Sequence, residues 1–376
     1  MRALSAIAFG ATFEILIGCR AEHHMSGPPL APRQGSSGNV ALQISNQCPG
    51  TIWPAVYTMS GSGNSNTGFS LSPGGNKTVY VPLDWQGRVW GRSNCSFSSN
   101  GQASSGNGQA CTTGDCGGVL ACKSPGTPPA TLAEFTMNGS SSQTFYDISL
   151  VDGYNLPLAI VLNANGISAL QSLDPSTTNP SCVASVGDMA SEPFDPYSNG
   201  QQFLGTSSSD PLPFDNTTTV SDVADWCPWD LQVNPPQAPG DGVYPYPDTN
   251  VARPAFDPCY SACAKYNQDN YCCTGQYDSV NTCSPNYYSK AAKSVCPDAY
   301  AYAFDDSTST FVVPSGGGYS IIFCPGGRST NIIASKGTGA ITHGSSSPSN
   351  STNGRLRIDE TAKWVALLTL TLMLLF

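Results

Sequence analysis

The sequence predicts an all-β fold, a sandwich or barrel that disulfide bonds hold together. Short runs of alternating apolar and polar residues recur over residues 39–162, separated by Gly, Asn, Ser and Pro. This period of two, with many β-branched and aromatic side chains, is typical of short antiparallel strands. Fourteen of the fifteen cysteines lie between Cys48 and Cys324, and such an even set indicates a disulfide framework.

Six runs show the strand pattern most clearly: 40–44, 51–53, 77–81, 88–90, 132–136 and 146–150. Helix signals are scarce, and the clearest one covers the segment from Pro258 to Tyr266. Pro258 suits a first helical turn, and Cys259 and Cys263 would fall one turn apart. We therefore expect many strands and one short helix.

The N-terminal segment has the pattern of a secreted protein. Arg2 precedes a mostly apolar stretch, and residues 1–21 resemble a signal peptide whose removal would take Cys19 with it. The run from Leu16 to Cys19 also fits a bacterial lipoprotein box, which remains an alternative. Residues 22–38 include a Pro-, Gly- and Ser-rich stretch and predict a linker.

The C-terminal segment, residues 355–376, predicts a signal for GPI attachment. Its apolar run from Trp364 to Phe376 is shorter than the roughly 20 residues that span a bilayer. The alternative is an apolar terminus without an anchor. Residues 326–354 are rich in Gly, Ser and Thr and predict a flexible stalk. We therefore expect an extracellular protein at the cell surface or wall, attached to a membrane by a lipid anchor only.

The composition limits the partners of the remaining segment, residues 39–325. Only 11% of residues are charged, yet the formal net charge is −10. This balance argues against nucleic-acid binding and favours neutral or cationic partners. Residues 184–225 are acidic, contain no Lys or Arg, and predict a loop insertion. Glycosylation sequons on exposed loops are expected at Asn76, Asn138, Asn216 and Asn350. Asn94 begins a weaker one, because Cys95 beside it is expected to be bridged.

Few residues in the predicted domain could bind a metal ion or a cofactor. The three histidines, His23, His24 and His343, lie outside the predicted domain, so neither a histidine-based triad nor a zinc site is expected there. The glycine run 316–318 lacks the Lys-Ser/Thr of a phosphate loop and predicts a turn. We expect no cofactor and no metal.

Several strings resemble those of thaumatin-like proteins. They occur in order along the chain: NQCPGTIWPAVY (46–57), GRVWGRSNCSF (87–97), TGDCGG (113–118), PATLAEF (129–135), YDISLVDGYNLPLAI (146–160), YCC (271–273) and CPDAYAYAFDDSTSTF (296–311). The strings YSIIFCPGGRSTN and DGVYPYPD are more similar to those of fungal members than of plant members.

This resemblance implies a β-sandwich core, a disulfide-rich loop and helix subdomain, a small hairpin subdomain, and an acidic cleft between the first two. It also implies seven bridges: Cys48–Cys324, Cys95–Cys111, Cys116–Cys122, Cys182–Cys296, Cys227–Cys259, Cys263–Cys272 and Cys273–Cys283. A further family bridge would fall near Thr177 and Val313, and both of its cysteines are absent here.

The resemblance maps the cleft onto Arg88, Glu134, Asp147, Asp152 and Asp305. Two carboxyl groups in a groove provide the acid and the base or nucleophile of glycoside hydrolysis. We expect Glu134 to be the proton donor and Asp147 or Asp152 to be the nucleophile or base. Arg88 and Asp305 would bind substrate. In the alternative interpretation, Asp152 shapes a turn, Asp147 caps a strand end and Arg88 pairs with a surface acid.

Aromatic side chains offer stacking surfaces for sugars, although a sandwich core would take most of them. At most one or two are expected to line the groove, out of Trp53, Tyr57, Trp85, Trp90 and Tyr154. The predicted function is an endo-acting β-1,3-glucanase that acts as a monomer on wall glucan. The alternative is a wall or defence protein that binds β-glucan or another partner without turnover.

Overall fold

The computed structural model describes five stretches of the chain: 38–105, 108–183, 227–233, 258–325 and 329–336. All of them belong to one unit, Met1–Gly344. The predicted signal peptide, acidic insertion and anchor signal lie outside the described residues, as do Asn216 and Asn350.

The described ranges contain eleven strands, and each of the six predicted runs overlaps one of them. Buried and exposed side chains alternate along the first and third strands, whereas most residues of the fourth, sixth and seventh are buried. The strands are β1 (Asn39–Asn46), β2 (Trp53–Ser60), β3 (Asn76–Pro82), β4 (Gln86–Cys95), β5 (Cys111–Thr113), β6 (Leu132–Thr136), β7 (Gln143–Ser149), β8 (Leu158–Asn163), β9 (Ser181–Cys182), β10 (Phe311–Pro314) and β11 (Gly318–Phe323).

These strands form two sheets. The first has the order β3-β1-β11-β8-β9, and the second has the order β10-β7-β6-β4-β2, with β5 paired to β4. Strands β1 and β11 run parallel, whereas the other pairs are antiparallel. The turn between β10 and β11 contains Gly316 and Gly317, whose φ angles of 114° and 71° favour glycine.

Aromatic side chains from both sheets meet in a shared core. Phe135 and Tyr146 of the second sheet lie 5.1 and 5.2 Å, between ring centroids, from Tyr319 of the first. All three are fully buried. Two sheets with a common apolar interior form a β-sandwich. The further division into a disulfide-rich and a hairpin subdomain stays a prediction.

Seven disulfides cross-link this framework, with sequence separations from 6 to 276 residues. They pair Cys48 with Cys324, Cys95 with Cys111, Cys116 with Cys122, Cys182 with Cys296, Cys227 with Cys259, Cys263 with Cys272 and Cys273 with Cys283. These are the pairs that the resemblance implies. Thr177 and Val313, where the family's further bridge would fall, are both buried.

The helices in the described ranges are short: α1 (Ser168–Gln171), α2 (Ala262–Tyr266), α3 (Asp269–Cys272), α4 (Tyr287–Val295), α5 (Asp306–Ser309) and α6 (Ile332–Lys336). The longest, α4, has nine residues. No helix in this part of the chain is long and apolar enough to cross a membrane.

The predicted helix over Pro258–Tyr266 begins later than expected. Ser261 is its N-cap, and the Ser261 hydroxyl accepts a hydrogen bond from the Ala264 amide. Cys259 lies outside the helix, because its backbone N–H and C=O both bond to Tyr154 at 2.8 Å. The predicted one-turn spacing of Cys259 and Cys263 is therefore wrong.

The folded unit also extends past the predicted boundary at residue 325. Part of the predicted stalk, residues 329–336, packs on the domain, and Ile332 is almost fully buried. The carboxyl group of Asp298 accepts hydrogen bonds from the Ile332 and Ile333 amides at 2.8 and 3.0 Å. These bonds hold the first turn of α6 against the rest of the fold.

The described sequon residues differ in exposure. Asn76 and Asn94 are exposed, whereas Asn138 is half-buried and accepts a hydrogen bond from the Ser315 hydroxyl. Glycosylation at Asn76 and Asn138 stays a prediction.

We expect the disulfide with the greatest sequence separation to stabilise the fold most. Replacing Cys48 and Cys324, 276 residues apart, with Ala should reduce the free energy of unfolding by about 2–5 kcal/mol. The same change at Cys95 and Cys111, 16 residues apart, should cost about 2.5 kcal/mol less, because the bridge closes a shorter loop. Urea unfolding of both double variants measures the difference, and equal losses would contradict this explanation.

Candidate functional site

One row of charged side chains crosses three neighbouring strands of the second sheet. The strand register places Arg88 of β4 opposite Glu134 of β6, and Glu134 opposite Asp147 of β7. Residues directly opposite in a sheet project to the same face, so the row is continuous. Asp147 lies within β7, so the expectation that it begins or caps a strand is wrong.

Arg88 joins two of the predicted carboxyl groups. Its Nε lies 3.4 Å from Glu134 Oε1, and one terminal nitrogen lies 3.4 Å from Asp152 Oδ2. Asp152 reaches Arg88 from a turn that ends at Gly153, whose φ is 99°. A Cβ at Gly153 would lie 2.3 Å from the Cys259 carbonyl oxygen, so the close packing of this turn requires glycine.

The three carboxyl groups differ in their exposure. The Asp152 side chain is 18% exposed and that of Glu134 is 7% exposed, whereas Asp147 is fully buried. Asp152 and Glu134 are therefore the two of these carboxyl groups that solvent reaches. Asp147 is closed to solvent in this structure, and its predicted role as nucleophile or base stays a prediction.

Burial raises the pKa of Asp147 well above its ordinary value. The nearby carboxyl groups of Glu134 and Asp306 raise it further, and Arg88 opposes the shift. Asp306 is a residue that the sequence analysis missed, although its Asp-Asp pair with Asp305 lies in one of the matched strings. The Tyr300 hydroxyl donates a hydrogen bond to Asp306 Oδ1 at 2.7 Å.

Asp305 has a different environment from the one predicted. Its Oδ2 lies 3.0 Å from Lys293 Nζ and accepts a hydrogen bond from the Ala301 amide. Its Oδ1 accepts from the Thr308 hydroxyl at 2.7 Å. Burial lowers the pKa of Lys293, and the ion pair with Asp305 opposes that shift. These contacts hold Asp305 within the segment 293–308, and its role in substrate binding stays a prediction.

The five aromatic residues that could line a groove differ in their burial. Trp85, Trp90 and Tyr154 are fully buried, whereas Trp53 and Tyr57 are half-buried. Tyr57 of β2 lies directly opposite Arg88 and extends the charged row by one strand.

The thioether of Met59 lies beside the same guanidinium. Its sulfur is 3.7 Å from Arg88 Nη2, and 37% of the residue is exposed. No periodicity singled out Met59 in the sequence. Among the residues that the structure describes, no cluster of His, Cys, Asp and Glu could hold a metal ion.

The fold and the disulfide framework define a class of β-sandwich proteins whose domain is built for an oxidising compartment. Residues 46–325 match the Thaumatin family, and the chain belongs to it. "Pathogenesis-related thaumatin-like protein 3.5" of Cryptomeria japonica is 36% identical over 293 residues, which is 77% of this chain and 91% of that protein. "Pathogenesis-related protein 5" of Arabidopsis thaliana is 36% identical over 282 residues, covering 75% and 89%.

Among solved structures, the thaumatin-like xylanase inhibitor TLXI is 33% identical to this chain. The match covers 32% of this chain and 74% of that protein, with a TM-score of 0.26. The two relatives above come from plants, and the narrower resemblance to fungal members stays a prediction.

The shared guanidinium limits the distance between the two accessible carboxyl groups. Because Glu134 and Asp152 each have an oxygen 3.4 Å from Arg88, their separation cannot greatly exceed the range used in glycoside hydrolysis. That range is roughly 5–5.5 Å for retaining enzymes and roughly 6.5–9.5 Å for inverting ones. The contacts are compatible with either geometry.

Asp147 should make the stability of the fold fall as the pH rises. Its pKa is higher in the folded protein than the ordinary value of 3.8, so the folded state holds this proton more tightly than the unfolded chain does. The resulting stabilisation is complete below pH 3.8 and is lost between 3.8 and the raised pKa. Asp147→Asn should remove this dependence.

The measurement is the free energy of unfolding from pH 4 to 7. The value for the variant minus that for the wild type should increase by up to about 1.4 kcal/mol per pH unit. The control is Asp278→Asn, which changes an exposed carboxyl group. A difference that does not vary with pH would show that Asp147 ionises as an ordinary carboxyl group does.

Asp305→Asn should reduce stability, since it leaves the largely buried Lys293 ammonium without its counter-charge. We expect a loss of about 1–3 kcal/mol in urea unfolding. Asp152→Asn, at a more exposed ion pair, should cost no more than about 1 kcal/mol. Unchanged stability in Asp305→Asn, together with weaker glucan binding, would support the predicted substrate-binding role of Asp305.

Proposed function

We propose that this protein hydrolyses cell-wall β-1,3-glucan, with Glu134 as the proton donor and Asp152 as the nucleophile or base. The observation that supports these roles most is the pair of contacts by which Arg88 holds both carboxyl groups. A glycosidic bond must lie between an acid and a second carboxylate, so the two side chains need fixed positions. Arg88 would orient both and limit their mutual repulsion.

Asp147 has a supporting role in this proposal. Its raised pKa keeps the carboxyl group neutral over a wider pH range. A neutral Asp147 avoids a further negative charge beside Glu134 while substrate binds. It also makes the site sensitive to pH, because ionisation of Asp147 would change the field on the proton donor.

The substrate class follows from the resemblance and from charge. An acidic protein with few cations would repel polyanions, whereas a neutral glucan carries no such penalty. Tyr57, beside Arg88, offers a half-exposed ring on which a sugar could stack. We propose β-glucan as the partner of a monomeric protein that binds no nucleic acid. The protein would act extracellularly, at the cell surface or in the wall, attached through a GPI anchor.

Glucan binding without turnover is the second candidate, and one observation favours it. Arg88 contacts both Glu134 and Asp152, and a site of fixed, complementary charges can bind a ligand without catalysing. The same cleft would then recognise wall glucan or another partner in defence.

Glu134→Gln tests the two candidates. The amide keeps the shape of the side chain but delivers no proton to the leaving oxygen, so hydrolysis of linear β-1,3-glucan should fall by at least about 100-fold. Binding in a glucan pull-down should remain. The measurement is release of reducing sugar between about pH 4 and 7, a range that brackets a raised carboxyl pKa.

The control is again Asp278→Asn, which should leave both turnover and binding unchanged. Binding without any released sugar by the wild type would overturn hydrolysis in favour of the second candidate. A wild type that does neither would overturn the glucan proposal altogether.

A further inference from the structure

A small pocket lies beside the charged row, at the start of helix α4. Its lining includes the buried residues Ser289 and Ala303 and the half-buried residues Tyr271 and Tyr302. Its free volume is about 10 Å³, enough for one group of the size of a hydroxyl or a water molecule. We call this the Ser289 pocket.

The hydroxyl group of Ser289 is the unusual feature of this pocket. Ser289 is 1% exposed, and its Oγ has no hydrogen-bond partner among the described residues. The amide of Ser289 donates to Asn286 Oδ1 at 3.0 Å, so the helix cap uses the backbone and not the hydroxyl. An unsatisfied buried hydroxyl is unfavourable, so a polar group from outside the chain would supply the hydrogen bond that Oγ lacks.

The remaining pocket residues define the chemistry of that group. None of the side chains lining the pocket is charged, so a carboxylate or an ammonium group would lose its hydration without compensation. Val151, Ala301 and Ala303 offer apolar surface next to the hydroxyl. The pocket therefore suits a neutral hydroxyl group carried on an apolar carbon, with a ring packed on the tyrosines.

The pocket also lies close to the proposed catalytic groups. Val151 precedes Asp152 in the chain, and the charge of Asp152 acts on the buried hydroxyl of Tyr288, which also lines the pocket. Two residues of the lining, Val151 and Tyr288, thus connect the Ser289 pocket with Asp152.

We propose that the Ser289 pocket binds the hydroxymethyl group of a glucosyl unit and makes the groove select hexose over pentose polymers. The inference rests on the proposed glucan recognition and deepens it. The hydroxymethyl oxygen alone enters the pocket and bonds to Ser289 Oγ, while its CH₂ and the sugar ring stay outside, against the apolar and tyrosine side chains of the lining. A pentose unit has the same ring but leaves the pocket without this hydroxyl.

The test compares two oligosaccharides of equal length, one of β-1,3-linked glucose and one of β-1,3-linked xylose, by calorimetry on the full chain. The wild type should bind the glucose oligomer more tightly. Ser289→Ala should weaken that binding about 3- to 10-fold, the effect of one hydrogen bond, and should leave xylose binding unchanged. Ser289→Val, which fills the pocket, should remove the preference for glucose.

The control is Ser294→Ala, the same change at an exposed position of α4, where the hydroxyl donates to the Ala291 carbonyl. It should leave both affinities unchanged. Thermal unfolding checks the fold, and Ser289→Ala should be at least as stable as the wild type, because it removes an unsatisfied hydroxyl.

Two results would contradict the proposed role of the Ser289 pocket without contradicting glucan recognition. One is equal wild-type affinity for both oligosaccharides. The other is a Ser289→Ala variant that weakens both equally or neither, as expected if the pocket holds only an ordered water. If the wild type binds neither oligosaccharide, the proposed function fails, and the pocket assignment fails with it.

Discussion

The register of strands β4, β6 and β7 is the constraint on which the site depends. One face of this register places Val89, Ala133 and Ile148 in the core, and the other carries the charged row. A slip of one residue would turn the charged side chains inward and the apolar ones outward. Burial of the core stabilises this register, and it therefore also holds the charged row in place.

The rest of the site lies on loops and short helices that pack against this sheet. The turn before Gly153 packs against the Cys259 carbonyl, and Cys259 is bridged to Cys227. The segment that follows Cys296 pairs with the end of β7 through Tyr300. Disulfides thus give fixed positions to loops that hydrophobic burial alone would hold weakly. Both Asp152 and the Ser289 pocket depend on them.

Much of the fold could be predicted because its signals are local. Alternation identified the strands, and the matched strings carried the disulfide pairs. The errors have physical causes. The helix over Pro258–Tyr266 begins at Ser261, because tertiary pairing with Tyr154 keeps Cys259 extended. Helix α4, the longest described, was missed, although Asn286 is a good N-cap residue that precedes it. Residues 329–336 looked like a stalk, because nothing nearby in sequence reveals that Asp298 binds their backbone.

The sequence by itself determined the class of fold, the disulfide framework and the family, and it pointed to Arg88, Glu134 and Asp152 but not to Asp306. Only the tertiary structure decided what each acid can do. Arg88 and Asp152 are 64 residues apart in the chain, and their contact depends on a turn packed by a distant segment. Asp147 and Asp152 are equivalent by residue type, yet one is buried with a raised pKa and the other is partly exposed on an ion pair. Burial and charge at a carboxyl group come from strands and loops far away in sequence, so no local pattern encodes them.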